Sequence, residues 1–266
     1  MIRKTFFVAA AACLLVSGMA VAEQFGTNPN VKAPFGGTEG GGCGDTSFTQ
    51  SVDAATITAM NSVSCNSMAT GFHTDNSYSR AFDLAGDFGI SEDFEVCGVQ
   101  IGVEDATAGA GGVQPADFNL FSAAPGVFPT AFTNLTSIGT SAVSVPDQAA
   151  ALYFESVTGT VPAGEELIVE IFTPDGDTDG NTFFIGSNSL GENDPSYLAA
   201  ADCGITDPTS TGDIGFPEMQ IVMTVFGTAA GPSVPPTDIP TVGTLGASIL
   251  VVLLGLGGFV LLRRRS

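Results

Sequence analysis

The sequence predicts an all-β protein whose main domain is an antiparallel two-sheet sandwich of jelly-roll type. Between residues 47 and 227, short apolar or alternating runs are separated by Gly, Pro, Asp and Asn. These runs contain no capped amphipathic pattern long enough for a major helix. The 20 phenylalanines require a large buried core. About nine strands at near-regular spacing favour one sandwich, and two stacked small sandwiches are the alternative.

The strands follow from these runs in chain order, within a domain of residues 45–227. A Gly-rich segment, residues 23–44, precedes the domain and is expected to be a flexible arm held at Cys43. A Pro-rich segment, residues 228–238, follows it and is expected to be a stiff linker. We expect strands near residues 54–60, 78–84, 94–104, 117–122, 135–145, 151–157, 166–173, 182–186 and 219–227.

The first 22 residues have the layout of a secretory signal peptide. Arg3 and Lys4 precede an apolar run, and the small-residue tripeptide Ala-Val-Ala occupies residues 20–22. We expect cleavage between Ala22 and Glu23. A retained membrane anchor is the alternative, but the apolar run is shorter than the ~20 residues that a spanning helix needs.

The last 28 residues predict a membrane anchor. Residues 242–262 contain no charged side chain and precede Arg263, Arg264 and Arg265. A helix of this length reaches ~31 Å, which is enough to cross a bilayer core. Because arginines stay on the cytoplasmic side, the preceding domain is expected to face outward. A buried core helix is the competing interpretation, and the Pro-rich linker and arginine cluster argue against it.

The tail also resembles a known sorting signal. Ile239, Pro240 and Thr241 open the sequence IPTVGTLG at residues 239–246, before the apolar segment and the arginines. This arrangement is similar to the IPTL-CTERM tail, a PEP-CTERM-like tail of Gram-negative surface proteins. The resemblance implies processing by a membrane exosortase and anchoring in the inner membrane before any processing. Leu245 stands where the family usually has tryptophan, which affects processing more than membrane targeting.

Residues 23–238 are strongly acidic. They carry all 28 Asp and Glu residues and only two cations, Lys32 and Arg80, which gives a side-chain charge of about −26. Such a surface repels phosphates, so nucleic acid is excluded as a partner. Adaptation to a saline habitat and attraction of divalent cations both account for this acidity, and the sequence leaves the choice open.

Four cysteines lie in the exported part of the chain: Cys43, Cys65, Cys97 and Cys203. Their number is even, their spacing is wide and no C-x-x-C pair occurs. This pattern favours two disulfides over a metal site in an exported protein. Spacing leaves all three connectivities open.

The loop at residues 175–181 reads DGDTDGN and is a candidate calcium site. Asp175, Asp177, Asp179 and Asn181 stand at alternate positions and offer oxygen ligands, as in the first half of an EF-hand loop. The glutamate that closes an EF-hand is replaced by Gly186. Structural calcium is therefore expected, and a solvated acidic turn is the alternative.

Catalytic signals are weak, and we expect the protein not to be an enzyme. His73 lies near Asp75, but the sequence contains no G-x-S-x-G elbow, so a structural contact is expected. Asp75, Asn76 and Ser77 could cap a loop or supply a second cation site. The chain has no tryptophan and only Tyr78, Tyr153 and Tyr197, which disfavours sugar binding by stacking.

The domain resembles a loosely defined group of bacterial extracellular β-sandwich domains without an established activity. The similar segments are HTDNSYSRAFDL at residues 73–84, GVQIGVE at 98–104, FIGSN at 184–188, ADCGI at 201–205 and GFP at 215–217. Cys65 lies just before the first segment, and Cys203 lies within the fourth. The resemblance thus implies a pairing of Cys65 with Cys203 and of Cys43 with Cys97.

The sequence therefore predicts a non-enzymatic domain at the cell envelope or surface of a Gram-negative bacterium, either anchored or released. Its expected role is adhesion, matrix association or surface structure. The alternative is an extracellular glycan-binding module or hydrolase of jelly-roll fold. Exposed aromatic side chains beside paired carboxylates in one groove would favour that alternative. The surface, matrix or glycan partner is not specified by the sequence.

Overall fold

The computed structural model describes residues 23–29 and 43–231. The expected signal peptide and the sorting and membrane segment from residue 239 lie outside the described residues. The described part contains 16 β-strands and two short 3₁₀ turns. The strands are β1 (Gln24–Thr27), β2 (Thr46–Thr49), β3 (Val63–Asn66), β4 (Asn76–Phe82), β5 (Phe94–Thr107), β6 (Gln114–Ala123), β7 (Thr136–Val145), β8 (Gln148–Glu155), β9 (Gly159–Val161), β10 (Glu166–Thr173), β11 (Thr182–Ile185), β12 (Ser187–Asn188), β13 (Tyr197–Ala200), β14 (Ile205–Ser210), β15 (Gln220–Ile221) and β16 (Met223–Ala229). The 3₁₀ turns span Phe132–Asn134 and Ala201–Cys203.

The first sheet has six strands in the order β14-β13-β4-β10-β6-β7, and all its pairings are antiparallel. Val169 of β10 lies opposite Arg80 of β4 and Leu120 of β6, which fixes the register at the centre. Alternate residues of β6 are buried, including Phe118 and Leu120, because successive side chains of a strand point to opposite faces. One face of this sheet therefore belongs to the core.

The second sheet is organised around β5, which has 14 residues. Its order is β11-β5-β16-β2, and β8 and β9 also pair with β5. Val99 of β5 lies between Val225 of β16 and Glu155 of β8, so neighbouring strands cover both edges of β5. Two small sheets, β1 with β3 and β12 with β15, complete the described architecture.

The core draws side chains from both six-stranded sheets, which gives a sandwich-like all-β fold. Phe48 of β2 packs against Phe82 of β4 and Phe94 of β5, with ring centroids 5.4 Å and 5.3 Å apart. Phe118 of β6 meets Tyr153 of β8 at 6.0 Å. Burying an aromatic side chain removes a large apolar area from water, so these contacts join the two sheets. The described residues up to Ala230 belong to one compact unit.

Two disulfide bonds tie outlying segments to the sheets. Cys43 pairs with Cys97 of β5, and Cys65 of β3 pairs with Cys203 in the second 3₁₀ turn. Both pairs have a Cα separation of 5.9 Å. These are the pairs that the resemblance to extracellular β-sandwich domains implied.

Eight of the nine runs expected to be strands overlap strands of the structure, and the run at residues 54–60 does not. Asp53 explains that difference. Its carboxylate accepts hydrogen bonds from the N–H groups of Ala55 and Thr56, at 2.9 Å and 2.8 Å, and from the Thr56 hydroxyl. This aspartate turn competes with an extended ladder. The prediction of a strand at residues 54–60 was wrong.

The boundaries of the arm and the linker also differ from the expectation. Residues 24–27, within the expected arm, form β1 and pair with β3, and Phe25 packs against Phe216 at 6.2 Å. At the other end, Thr228 and Ala229 of the expected linker pair with Glu95 and Phe94. Strand pairing with β3 and one aromatic contact thus hold residues 24–27, a segment that composition alone assigns to a flexible arm. Within the described ranges, no helix has the length and apolarity needed to cross a membrane.

Candidate functional site

A small pocket on the first sheet brings four carboxylates together. Its volume is about 120 Å³. Four acidic side chains, two aromatic side chains and two small residues line it: Asp83, Asp87, Glu166, Asp194, Phe128, Tyr197, Ala81 and Pro195. A more open groove of about 470 Å³ lies beside Gly44 and Glu95, and Glu95 is the one titratable side chain in its lining. The smaller pocket therefore has more titratable side chains with which to bind a ligand.

Strand geometry brings the acids of this pocket together. Leu167 of β10 lies opposite Phe82 of β4, so the start of β10 adjoins the end of β4. Glu166 is the first residue of β10, and Asp83 directly follows β4. Because antiparallel strands bring the end of one strand beside the start of its neighbour, these two carboxylates enter the same pocket.

Three of the four carboxylates accept a hydrogen bond at one oxygen. The Gly86 N–H donates to Asp83 at 2.8 Å, and the Gly126 N–H donates to Glu166 at 3.0 Å. The Gln50 side-chain amide donates to Asp194 at 3.0 Å. These donors fix the orientation of the acids, and no ion pair to a pocket carboxylate occurs among the described residues.

The fourth acid, Asp87, shares a hydrogen bond with Asp194. Partial burial raises the pKa of Asp87, and the charge of Asp194 and this hydrogen bond raise it further. Burial also raises the pKa of Glu166, and the charges of Asp83 and Asp194 add to the effect. Carboxyl groups with raised pKa values that converge on a cleft are typical of functional sites.

The aromatic wall of the pocket consists of Tyr197 and Phe128. Their ring centroids are 4.8 Å apart and the ring planes are inclined at 79°, an edge-on contact. Phe128 is buried, and the Tyr197 ring on β13 is partly exposed. Of the three tyrosines, Tyr78 and Tyr153 are buried, so Tyr197 alone presents a ring at the surface. The pocket thus pairs one accessible aromatic face with acceptor oxygens.

Arg80 holds the loop that carries Asp194. It is the only lysine or arginine within residues 43–231, and its side chain is fully buried. The guanidinium donates to Glu192 at 2.8 Å, to the Asp194 carbonyl at 3.2 Å and to the Ile221 carbonyl at 2.8 Å. No site role for Arg80 was predicted from the sequence. A single cation within a predicted strand of a very acidic domain is the signal that could have identified it.

The pocket has the groups needed to bind a polar ligand. Its carboxylates can accept hydrogen bonds from hydroxyl or amino groups, and the Tyr197 ring can contact an apolar face.

In the loop at residues 175–181, three of the four expected calcium ligands accept hydrogen bonds from other groups of the protein. Asn181 is buried, and its side-chain oxygen accepts a hydrogen bond from the Gly109 N–H at 2.7 Å. Asp175 accepts a hydrogen bond from the Asp177 N–H at 2.8 Å, and Asp177 also accepts one from the Thr70 hydroxyl. Within the described residues, no group of three or more His, Cys, Asp or Glu side chains is placed to hold a metal ion.

His73 is buried, and its ring contacts neighbouring segments of the protein. Its ring is buried, with Nδ1 2.8 Å from the Thr74 carbonyl and Nε2 3.2 Å from the Gln114 side-chain oxygen. Burial lowers its pKa. Gly176 packs so closely on the ring that a Cβ at this position would lie 2.5 Å from Nε2. The ring therefore serves as a packing surface for the loop at residues 175–181.

The segment after His73 is also structural. Asn76 accepts a hydrogen bond from the Cys65 N–H at 2.8 Å and donates to the Ser64 hydroxyl and the Thr74 carbonyl. Ser77 donates to Glu170 at 2.6 Å. Asn76 and Ser77 thus join neighbouring strands and loops.

Comparison with known proteins adds little about activity. No family model matches this sequence, and no curated protein matches it. One similar solved structure contains the cysteine protease and lectin-like domains of Cwp84, a surface layer associated protein of Clostridium difficile. The TM-score is 0.38 and the sequence identity is 13%, over 65% of this chain and 38% of that chain. The chain thus spans less than half of that structure, and a likeness at this level assigns no activity.

Proposed function

We propose that this protein is a non-enzymatic domain displayed at the bacterial cell envelope, with a role in adhesion, matrix association or surface structure. The two disulfide bonds carry this proposal. Disulfides persist in oxidising compartments and are rare in the cytosol. The acidic surface keeps such a domain soluble and repels other polyanions.

We also propose the jelly-roll topology, the signal peptide, the membrane anchor and the sorting tail that the sequence predicts. The two six-stranded sheets form a jelly-roll-like sandwich, and the signal peptide directs export. The segment at residues 242–262 anchors the protein in the inner membrane of a Gram-negative cell, and an exosortase recognises the tail. The arginine cluster and the apolar segment support this orientation.

Protease treatment of cells that express the full chain tests the location. We expect proteinase K to digest the domain in spheroplasts, and thiol alkylation without reductant to leave its four cysteines unmodified. A domain that resists the protease until the inner membrane is broken, with four alkylated cysteines, would place it in the cytoplasm.

A second candidate function is glycan binding, because Tyr197 and Phe128 stand beside paired carboxylates in one pocket. The carboxylates would accept hydrogen bonds from sugar hydroxyl or amino groups, and the Tyr197 ring would contact an apolar sugar face.

A glycan array probed with the wild-type protein and with Tyr197→Ala tests this candidate. We expect sugars that bind the wild type to lose at least tenfold in affinity with Tyr197→Ala and to bind Tyr197→Phe nearly unchanged. Equal binding by the wild type and Tyr197→Ala would exclude this pocket as the binding site.

We also propose that the loop at residues 175–181 binds calcium as a structural ion. Exposed Asp175 and Asp179 and half-buried Asp177 supply carboxylate oxygens, and water supplies others. Asn181 is engaged with Gly109, so the three aspartates carry the proposal. They are not grouped around one point in the described structure, so binding requires calcium to draw their carboxylates together.

A further inference from the structure

The strand β7 at one edge of the first sheet has a single sheet neighbour. It pairs with β6, and no other strand of the described part of the chain pairs with it. Thr140, Ala142 and Ser144 are exposed and alternate with less exposed side chains. The outer row of backbone donors and acceptors of an edge strand is a template for a further strand.

The other edge strands carry features that oppose such pairing. The opposite edge of the same sheet, β14, contains Asp207 and Pro208, and proline lacks the N–H needed for a ladder. In the second sheet, β2 has only four residues. β8 ends in Glu155 and contains Ala150 at φ 45°, which interrupts a flat edge. By contrast, β7 has ten residues without proline or charge.

The charge distribution selects a second copy of this chain as the partner. Residues 118–146, between Asp117 and Asp147, form the longest stretch of the sequence without Asp, Glu, Lys or Arg. Elsewhere the acidic surfaces of two copies repel each other. Self-pairing places a strand opposite itself, where like charges are destabilising, and β7 contains none.

The other acids near this edge are engaged in hydrogen bonds or lie far from their equivalents in a second copy. Glu155 accepts hydrogen bonds from Ser141 and Tyr153, at 2.9 Å and 3.0 Å. Asp117 lies on β6 opposite Ala142. Three strand spacings would separate Asp117 from its equivalent in a paired copy, about 14 Å, which exceeds the Debye length of about 8 Å at physiological salt.

Close packing limits the part of β7 that is available. A Cβ at Gly139 would collide with the Thr158 carbonyl oxygen, so the start of β7 already lies against the segment before β9. Residues 140–145 are the remainder of the strand. We propose that two copies of the protein associate by antiparallel pairing of these residues, which joins their first sheets into one continuous sheet. Such a two-fold contact is self-complementary and closes after two copies.

Sedimentation velocity of the full chain in mild detergent, over a range of protein concentrations, tests this proposal. We expect a dimer whose dissociation constant rises at least tenfold with Ala142→Lys, because an edge lysine opposes pairing. Ala124→Lys is the matched control, since Ala124 is exposed in the same hairpin but lies outside β7. It should leave the dimer unchanged, and higher salt should strengthen it.

Ser144→Lys provides an independent variant if Ala142→Lys unfolds, and circular dichroism identifies folded variants. A wild type that stays monomeric across the concentration range would overturn the proposal. It would also be overturned by a dimer that folded Ala142→Lys and Ser144→Lys weaken no more than Ala124→Lys, since another segment, such as residues 242–262, would then join the copies.

Discussion

At the residue scale, Arg80 is the side chain on which the pocket loop depends most. Its guanidinium is buried on the inner face of β4 and contacts Glu192, the Asp194 carbonyl and the Ile221 carbonyl. Lysine offers one compact charge instead of a planar fork of donors, so it cannot replace these contacts. The single buried cation of the described domain is therefore a positioning residue for Asp194.

Arg80→Met is expected to lower the free energy of unfolding by about 3 to 5 kcal/mol, because it breaks a buried ion pair with Glu192 and removes the guanidinium hydrogen bonds to two carbonyl groups. Arg80→Lys should recover only part of this loss. Urea denaturation of the two variants measures both values. A loss below about 1 kcal/mol for Arg80→Met would show that the loop is held by other contacts.

The pocket carboxyls predict an unusual pH dependence. Burial raises the pKa of Glu166 and of Asp87, so the folded protein binds these protons more tightly than the unfolded chain does. The folded state takes up these protons first as the pH falls, so the contribution of these carboxyls to stability rises on acidification from pH 7 toward the usual glutamate pKa of 4.5. Buried Glu104 and Glu170, whose pKa values burial also raises, act in the same direction. Buried His73, whose pKa burial lowers, acts in the opposite direction below its usual pKa of 6.5.

Glu166→Gln should raise stability at pH 7 by on the order of 0.5 kcal/mol and reduce the gain between pH 7 and pH 5. The neighbouring Glu165→Gln is the control, since Glu165 does not line the pocket. Thermal unfolding across this pH range compares the two variants. The same pH profile for both would show that Glu166 has no part in the effect.

At the scale of elements, the sequence predicts strands well where apolar runs are long. The run at residues 166–173 has the bounds of β10, and the run at 94–104 lies within β5. Short strands with little apolar content, such as β1 and β12, carry no comparable signal, because pairing partners elsewhere in the chain stabilise them. The pocket was not predictable for a related reason. Its four acids come from three segments that are far apart in the sequence, and 28 acids offer many such combinations.

The two disulfides should differ in their contributions to stability. Cys65–Cys203 spans 138 residues and Cys43–Cys97 spans 54. Each is expected to contribute about 2 to 5 kcal/mol, and the longer loop about 0.8 kcal/mol more in the chain-entropy description. Denaturation of the two double Cys→Ala variants tests this order. Non-reducing peptide mapping that recovered Cys43 linked to Cys65 would contradict the pairing itself.

The loop at residues 175–181 predicts a calcium-specific gain in stability. Millimolar calcium is expected to add about 1 kcal/mol, because extracellular calcium sites often have dissociation constants of about 0.1 to 1 mM. Asp177→Asn and Asp179→Asn should reduce this gain. Asn181→Ala should lower stability with or without calcium, since it removes the contact with Gly109.

Thermal unfolding in calcium and in magnesium at equal ionic strength separates specific binding from charge screening. Equal shifts of the midpoint in both ions, unchanged in the aspartate variants, would show that the loop is a solvated acidic turn.

At the scale of the whole molecule, three features support the same cellular location. Two disulfides stabilise the sheets, a strongly acidic surface surrounds them, and the arginine-terminated apolar tail follows the domain. The disulfides are a property of the described structure, and the arginine-terminated apolar tail is a property of the sequence. Together they support an exported domain held at a membrane, and a pocket or a sheet edge would then face partners outside the cytoplasm.

The most direct test of this central proposal is fractionation of Gram-negative cells that express the full chain or a chain without residues 242–266. We expect the full chain in the membrane fraction, and the shortened chain in the periplasm or the medium with its disulfides intact, because the apolar segment and the arginine stop supply the anchor. Retention of the shortened chain in the membrane, or its accumulation in the cytoplasm with free thiols, would contradict the account.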